Sequence, residues 1–417
     1  MDKYGFKDTP LGPMPMDWEI VRVGELFQQV YVRVKDLAKE SEKIPVLSMT
    51  RYGGLVLQSK KFDKRVASRD TRNYKVVRKG QLVYSFPIDE GVIAILHRYP
   101  IGAVSPAYHV WEMRRNIDPI YLDLLLKTPL MVNQYKRRMS HVVQRRRNLS
   151  PKDFADVPLP LPPLPEQRAI AHVLSTVRQS IEATDRVIAA ARQLKRSLMK
   201  HLFTYGPVWV EEAERVLLEE TEIGEVPDTW QILSLGELCD FTTGKLDSNK
   251  AVLGGRYPFF TCSRETLQID TFSFDQEAVL LAGNNAQGIY SVKYYKGRFD
   301  AYQRTYVISI VDTGKLEYRY FLYELSRKLS ELQNRSLGTV TKFLTAKIIR
   351  SLALTIPPKE TQNSMSLQLD AIEDKIATET NRRSALEDLF NSLLHHLMTG
   401  KLRVNEQEGF TSKEDIS

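Results

Sequence analysis

Six cations, Lys136, Arg137, Arg138, Arg145, Arg146 and Arg147, fall within twelve residues of the stretch YKRRMSHVVQRRRN, which contains no acid. Such a run repels itself unless a polyanion lies against it, so the chemistry it suggests is neutralisation of phosphates. A merely solvated basic face is the plain alternative. Gln144 and Asn148 lie in the same run and join it as candidate DNA contacts. Later in the chain, AGNNAQG supplies Asn284, Asn285 and Gln287, and YQR supplies Gln303 and Arg304. These amide and guanidinium side chains can form paired hydrogen bonds with base edges. In NRSLGTVTKFL, Arg335, Thr341 and Lys342 are further candidates, and Ser336, Gly338, Thr339 and Thr341 can bring backbone close to phosphate. Ordinary loop chemistry is the alternative for each. Lys60, Lys61, Lys64, Arg65, Arg69 and Arg72 make another basic stretch, interrupted by Asp63 and Asp70.

Residues able to break or make bonds do not assemble in the same way. There is no GxxxxGK followed by Ser or Thr to cradle a nucleotide, no Asp/Asn-Pro-Pro-Phe/Tyr for amino-methylation of a base, and no glycine-rich strand-turn-helix for S-adenosylmethionine. The nuclease-like triplet Glu373-Asp374-Lys375 falls on a long helix and reads as a solvated helix face. The seven histidines do not join Cys239 and Cys262 at metal-ligand spacing, and the adjacent His395 and His396 do not easily face one metal. Chemistry, if directed by this chain, belongs to a partner.

What positions the basic and amide loops is a doubled frame. GPMPMDWEIVRVGEL (12–26) returns as GEVPDTWQILSLGEL (224–238), 212 residues later. Leu149, Pro162, Pro163, Gln167, Ile181, Ser197, Leu198, His201, Leu202 and Thr204 return as Leu344, Pro357, Pro358, Gln362, Ile376, Ser392, Leu393, His396, Leu397 and Thr399, 195 residues later. The change of offset falls between the matched blocks, in stretches with little mutual resemblance. Two different inserts on one frame suit an asymmetric, two-part target.

Each insert reads as α/β. GQLVYS (80–85), GVIAIL (91–96) and AYHVWEM (107–113) predict strands, followed by a helix over 119–139. EAVLLAG (277–283), IYSVKYY (289–295) and TYVISIV (305–311) predict strands in the same order, with a helix over 317–332. After each insert comes a proline strip, VPLPLPPLPEQ or IPPKETQ, which must be extended because proline fixes its own backbone and excludes its predecessor from the helix. Long helices follow and end at Gly206 and Gly400. In the first, Leu174, Ile181, Ile188, Lys195 and Leu202 recur every seven residues, with Val177, Thr184, Ala191 and Leu198 between them. In the second the stripe is Leu369, Ile376, Arg383, Phe390 and Leu397, with Ile372, Glu379, Leu386 and Leu393. A narrow stripe of period seven predicts a coiled coil, most simply of the two helices with each other. Thr184 and Glu379 would then share a polar layer, in a parallel or an antiparallel pair alike.

Composition agrees with these expectations. The chain has 417 residues, 42% hydrophobic, with a net charge of +8. Its pI near 9.2 favours an acidic partner. Nucleic acid is preferred to membrane because no apolar run approaches the length of a span. Two cysteines give no disulfide framework and the N-terminus MDKYGFKDTP is polar, so a cytoplasmic location is expected.

The order of insert, Leu149-Ser150, the strip Pro162-Pro163-Leu164-Pro165-Glu166-Gln167, a long helix ending LMKHLFTYG, then a second insert, strip and helix ending LLHHLMTGKL, resembles the specificity subunit of type I restriction-modification systems. The second strip departs from the pattern, with Lys359-Glu360-Thr361-Gln362 where the first has LPEQ. The resemblance spans essentially the whole chain. It implies an α/β fold of two target recognition domains joined by two long helices in an antiparallel coiled coil, with a pseudo-two-fold internal repeat. The expected divisions are a first target recognition domain over 1–156, strip and helix over 157–206, a second such domain over 207–350, strip and helix over 351–403, and a tail over 404–417. It implies double-stranded DNA as partner, two methyltransferase subunits carrying S-adenosylmethionine, and two motor-nuclease subunits using ATP and Mg, with no cofactor in this chain. A specificity subunit of an orphan methylation system, a structural coiled-coil protein with two non-DNA binding domains, and an enzyme with an unrecognised site are the competing readings. Salt dependence of DNA binding and methyl transfer by the chain alone would separate the last two from the first.

Overall fold

The computed structural model describes residues 5–37, 44–50, 53–61, 70–139, 149–286, 288–405 and 409–412. The chain divides into two units, Met1–Thr184 with Arg382–Ser417, and Asp185–Asn381. Both long helices, Leu164–Tyr205 and Lys359–Met398, run through the division, so each unit holds an insert and one half of each helix.

The repeated sequence blocks make the same local structure twice. In the first copy Glu19–Arg22 pairs antiparallel with Pro158–Leu161, and in the second Gln231–Ser234 pairs with Ala353–Ile356. The strip is therefore a strand, and with only one partner strand it tolerates Pro158 and Pro160. Gly-Glu-Leu follows each first strand as a single helical turn. Gly24 lies where a Cβ would be 3.1 Å from the Ala155 Cβ, and Gly236 where it would be 3.1 Å from the Arg350 Cβ, so glycine permits close approach of the short helix that precedes each strip. Glu25 and Glu237 accept from the backbone N–H of Arg22 (3.0 Å) and Ser234 (2.7 Å), and Leu26 and Leu238 are buried. Ser150 caps one short helix, Pro151–Ala155, and Thr345 caps the other, Ala346–Arg350.

Gln167 and Gln362 explain the end of each strip. The Gln167 amide donates to the Pro162 carbonyl (2.8 Å) and accepts from the Asp118 N–H (3.0 Å). Gln362 donates to the Pro357 and Lys315 carbonyls and accepts from the Glu317 N–H (2.9 Å). Asp118 and Glu317 are the N-caps of the helix after each sheet, so one glutamine ties strip to insert in both copies. In the unusual second strip Gln362 keeps the counterparts of both Gln167 contacts.

The first insert's sheet has the strand order Phe27–Val30, His109–Met113, Leu82–Tyr84, Ile93–Ile95, all antiparallel. The second repeats that order with Cys239–Thr243, Thr305–Ile310, Phe274–Ala282 and Val292–Ala301, then adds Tyr257–Phe260, in parallel, and Leu267–Ile269. The helix expected over 119–139 is two helices, Pro119–Leu125 and Pro129–Arg138. Pro129 excludes Thr128 from the helical region, and Thr128 instead caps the second helix through Met131 N. The helix expected over 317–332 is likewise divided, into Tyr318–Arg327 and Leu329–Arg335.

Helix direction is settled inside each unit. In the first, Ala169, Ile170 and Leu174, early in the first helix, share a core with Leu397 and Met398, the end of the second, with Phe390 and Leu393 packed against it. In the other, Leu202 and Phe203 share a core with Met365 and Leu369. Start meets end in both, which is antiparallel packing. Every stripe position named above is buried or half-buried. Of the polar ones, Lys195 pairs with Glu373, Arg383 with Glu387 (3.0 Å) and Lys375 with Glu379 (2.6 Å), while the Thr184 hydroxyl donates to the Ser180 carbonyl.

The segment after the second helix returns to the first copy. Gly400, at φ +66°, lies against Pro15 and Trp18, and the Arg403 guanidinium bridges Glu166 (2.6 Å) and Asp17 (2.7 Å) over the Trp18 ring. The Trp18 indole N–H also donates to Glu166 (3.0 Å). Burial beside two carboxylates is tolerated because they hold Arg403 in its charged form, and its pKa rises despite the desolvation.

Candidate nucleic-acid interface

Five loops of the second insert are tied into one face. The long strand Phe274–Ala282 ends at Gly283, whose N–H donates to the Arg304 carbonyl (2.8 Å). A Cβ there would be 2.5 Å from that same oxygen, so only glycine fits. Asn284 and Asn285 then pair antiparallel with Phe343 and Lys342, and the Asn285 side chain accepts from Ile289 N. Leu337 and Phe343 exchange both backbone hydrogen bonds (3.0 and 2.9 Å), closing a tight loop that turns at Gly338, φ +95°. Tyr302 and Gln303 are held by the Phe260 and Leu246 carbonyls, and the Gln303 amide donates to Asp247 (2.7 Å). The Cys262 thiol donates to the Arg304 carbonyl, and the Lys293 ammonium donates to the carbonyls of Ser263 and Glu265. Burial lowers the Lys293 pKa, against the opposing pull of Cys262 and Glu265.

Of the residues singled out by sequence, Asn284, Asn285, Gln303, Arg304, Thr341 and Lys342 belong to this face, with Gln303, Arg304 and Thr341 exposed. Arg335 closes the helix before it, and its guanidinium is engaged by Glu331 (3.0 Å) and the Ser351 hydroxyl. Gln287 lies outside the described residues, as do Gln144, Arg145, Arg146, Arg147 and Asn148 in the first insert. Lys136, Arg137 and Arg138 form the last turn of Pro129–Arg138, where cations complement the helix dipole. Lys136 and Arg137 are exposed, whereas Arg138 donates to Gln134. The flanks of the basic run are anchored, since Tyr135, Met139 and Leu149 are buried in one core and the Tyr84 hydroxyl donates to the Leu149 carbonyl. Arg72 is paired with Asp70 (2.9 Å), whose carboxyl it holds down to about 2; Lys64, Arg65 and Arg69 lie outside the described residues.

Lys245, Arg264 and Lys293 escaped the sequence reading, as did exposed Leu337 and Val340. The strand Tyr257–Phe260 that presents the 261–265 loop is four residues long, too short to betray a pattern. Among the described residues no His, Cys, Asp and Glu cluster could hold a metal ion. Glu373 is spent on Lys195, Cys239 and Cys262 are free thiols, and burial pushes Cys239 up to about 12. No described helix is long and apolar enough to cross a membrane.

A sequence model described as the type I restriction modification DNA specificity domain matches residues 15–191 and again 227–388, one match to each copy of the frame. The chain belongs to this family. As a specificity subunit it binds DNA and directs methylation and restriction by partner subunits. It is 34% identical over 176 residues to the EcoDI specificity subunit of Escherichia coli, covering 42% of this chain and 38% of that one. It is 24% identical over 430 residues to the MjaVIII specificity subunit of Methanocaldococcus jannaschii, covering 96% of each. In fold it is similar to the crystal structure of a type I system S subunit from M. genitalium, with TM-score 0.62, 14% identity, and coverage of 91% of this chain and 96% of that one.

Proposed function

We propose that this specificity subunit reads a bipartite, asymmetric duplex target with an unread spacer, each insert taking one half. Two methyltransferase subunits carrying S-adenosylmethionine and, in the full complex, two motor-nuclease subunits using ATP and Mg act on the DNA it selects, in the cytoplasm. The observation that carries the reading is the face of the second insert. Asn284, Asn285, Gln303, Arg304 and Lys342 come from segments far apart in sequence yet are fixed to one another by backbone hydrogen bonds. Rigid placement of amide and guanidinium groups suits base-edge recognition, where phosphate contacts position and base contacts specify. The first insert supports the same role with exposed Lys136 and Arg137 on the anchored edge of its basic run.

The test uses the chain reconstituted with its methylating subunits and the methylation pattern read base by base. Gln303→Ala with Arg304→Ala should relax one half of the methylated sequence and leave the other half and the spacer unchanged. Exchange of residues 27–148 for a relative's insert should alter the opposite half alone. A target that keeps both halves through both changes refutes this assignment of readers.

A further inference from the structure

The loop between Leu337 and Phe343 carries an apolar tip where polar residues are usual. Val340 is 83% exposed, with Thr339 and Thr341 exposed on either side, and Leu337 and Phe343 at the loop's base are 49% and 38% exposed. Ile289, at the end of the facing loop, is 43% exposed. One exposed valine would be unremarkable on a protein surface. This one is held out by a rigid device. The loop is closed by two backbone hydrogen bonds, turned at Gly338, where a Cβ would be 2.2 Å from the Thr341 carbonyl oxygen, and clipped to Asn284 and Asn285 by strand pairing.

We infer that Val340 reads the C5-methyl group of a thymine in the major groove of the half-site taken by the second insert. The inference rests on this face being the DNA-reading face. Its neighbours argue for a nucleic-acid occupant: Lys342 supplies charge for phosphate, while Asn284, Asn285, Gln303 and Arg304 supply bonding for base edges. Thymine alone of the four bases offers an apolar group in the major groove. Valine is also shorter than the Phe, Leu, Ile or Met wedges that unstack base pairs in the minor groove. A rigidly held β-branched side chain, with little rotamer freedom to lose, suits contact with a single methyl group. At the 195-residue offset the first copy has Arg145 in place of Val340, so the contact belongs to one half-site only.

The experiment measures binding of the reconstituted complex to duplexes carrying the target read from the methylation pattern, with each thymine of the half-site replaced in turn by deoxyuridine. Loss of one buried methyl should weaken binding by the unmodified protein by about three- to fivefold at one position. Val340→Ala should bind the thymine duplex about as weakly and no longer distinguish uracil there, while deoxyuridine in the other half-site has the same effect on both proteins. A half-site without thymine, no uracil effect at any position, or an equal uracil effect in Val340→Ala overturns the inference. A uniform loss on all duplexes overturns it too, in favour of simple packing against DNA. If Gln303→Ala with Arg304→Ala leaves this half-site intact, the underlying assignment of the face has failed instead.

Discussion

His97, exposed by surface area although its ring is partly desolvated, and His109, half-buried, are imidazoles of the first insert. Burial lowers the pKa of both; Lys75 lowers that of His109 further, while Asp123 opposes the shift at His97. His109 Nδ1 also lies 3.1 Å from the Gln29 amide nitrogen, an N–H that can only donate, so that ring nitrogen must be unprotonated. The unfolded chain takes up these protons near pH 6.5, whereas the folded one resists until lower pH. Their contribution is therefore complete above pH 6.5 and declines as the pH falls below it. Urea midpoints measured from pH 7.5 to 5 should fall, and His97→Gln with His109→Gln should flatten that part of the decline; an unaltered profile would show that other groups cause it. Residue roles were unevenly legible. Gly24, Glu25 and Leu26 stand out by repetition, and their tasks of close approach, capping and burial are local. Arg403, by contrast, finds its partners Glu166 and Asp17 hundreds of residues away, with no repeat to announce it.

Elements were legible where they repeat or run long, because period and proline rules act locally. Both long helices and both strips follow from them, as do the central strands of each sheet. The single helix read over 119–139 was a fault of applying period without proline chemistry at Thr128-Pro129. Strands such as Tyr257–Phe260 and Leu267–Ile269 exist through pairing with the end of Val292–Ala301 and with each other, which local pattern does not encode. The glutamine that joins strip to insert carries a clear expectation. Gln167→Ala strands the Asp118 N–H and the Pro162 carbonyl, both bonded to a buried side chain, at a cost of about 1–3 kcal/mol. Gln362→Ala should cost a similar amount in its own unit, and the two should add, since they share no partner. Denaturant unfolding of the two single variants and the double variant checks this; a double variant no worse than either single would show that the clamps are not independent.

At the scale of the molecule, the doubled frame and basic charge were visible in the sequence. The polar layer alone left helix direction open, because Thr184 and Glu379 align in either orientation; the antiparallel pair that was expected is confirmed by the cores shared within each unit. The first long helix has 42 residues, about 63 Å at about 1.5 Å per residue. If the paired helices measure the unread spacer, duplicating four residues near Thr184 adds about 6 Å. At about 3.4 Å per base pair, the methylated sequence should gain one or two spacer positions with both half-sites unchanged. A constant spacer in an active variant would show that the helices do not measure DNA.

The pairing of Glu19–Arg22 with Pro158–Leu161, and of Gln231–Ser234 with Ala353–Ile356, brings the two borders of each insert together on the frame. A stretch of gene between such borders can be inherited from another lineage without disturbing the segments that close around it. If each insert takes one half-site, such an exchange changes the target of modification and of restriction together, because one chain directs both.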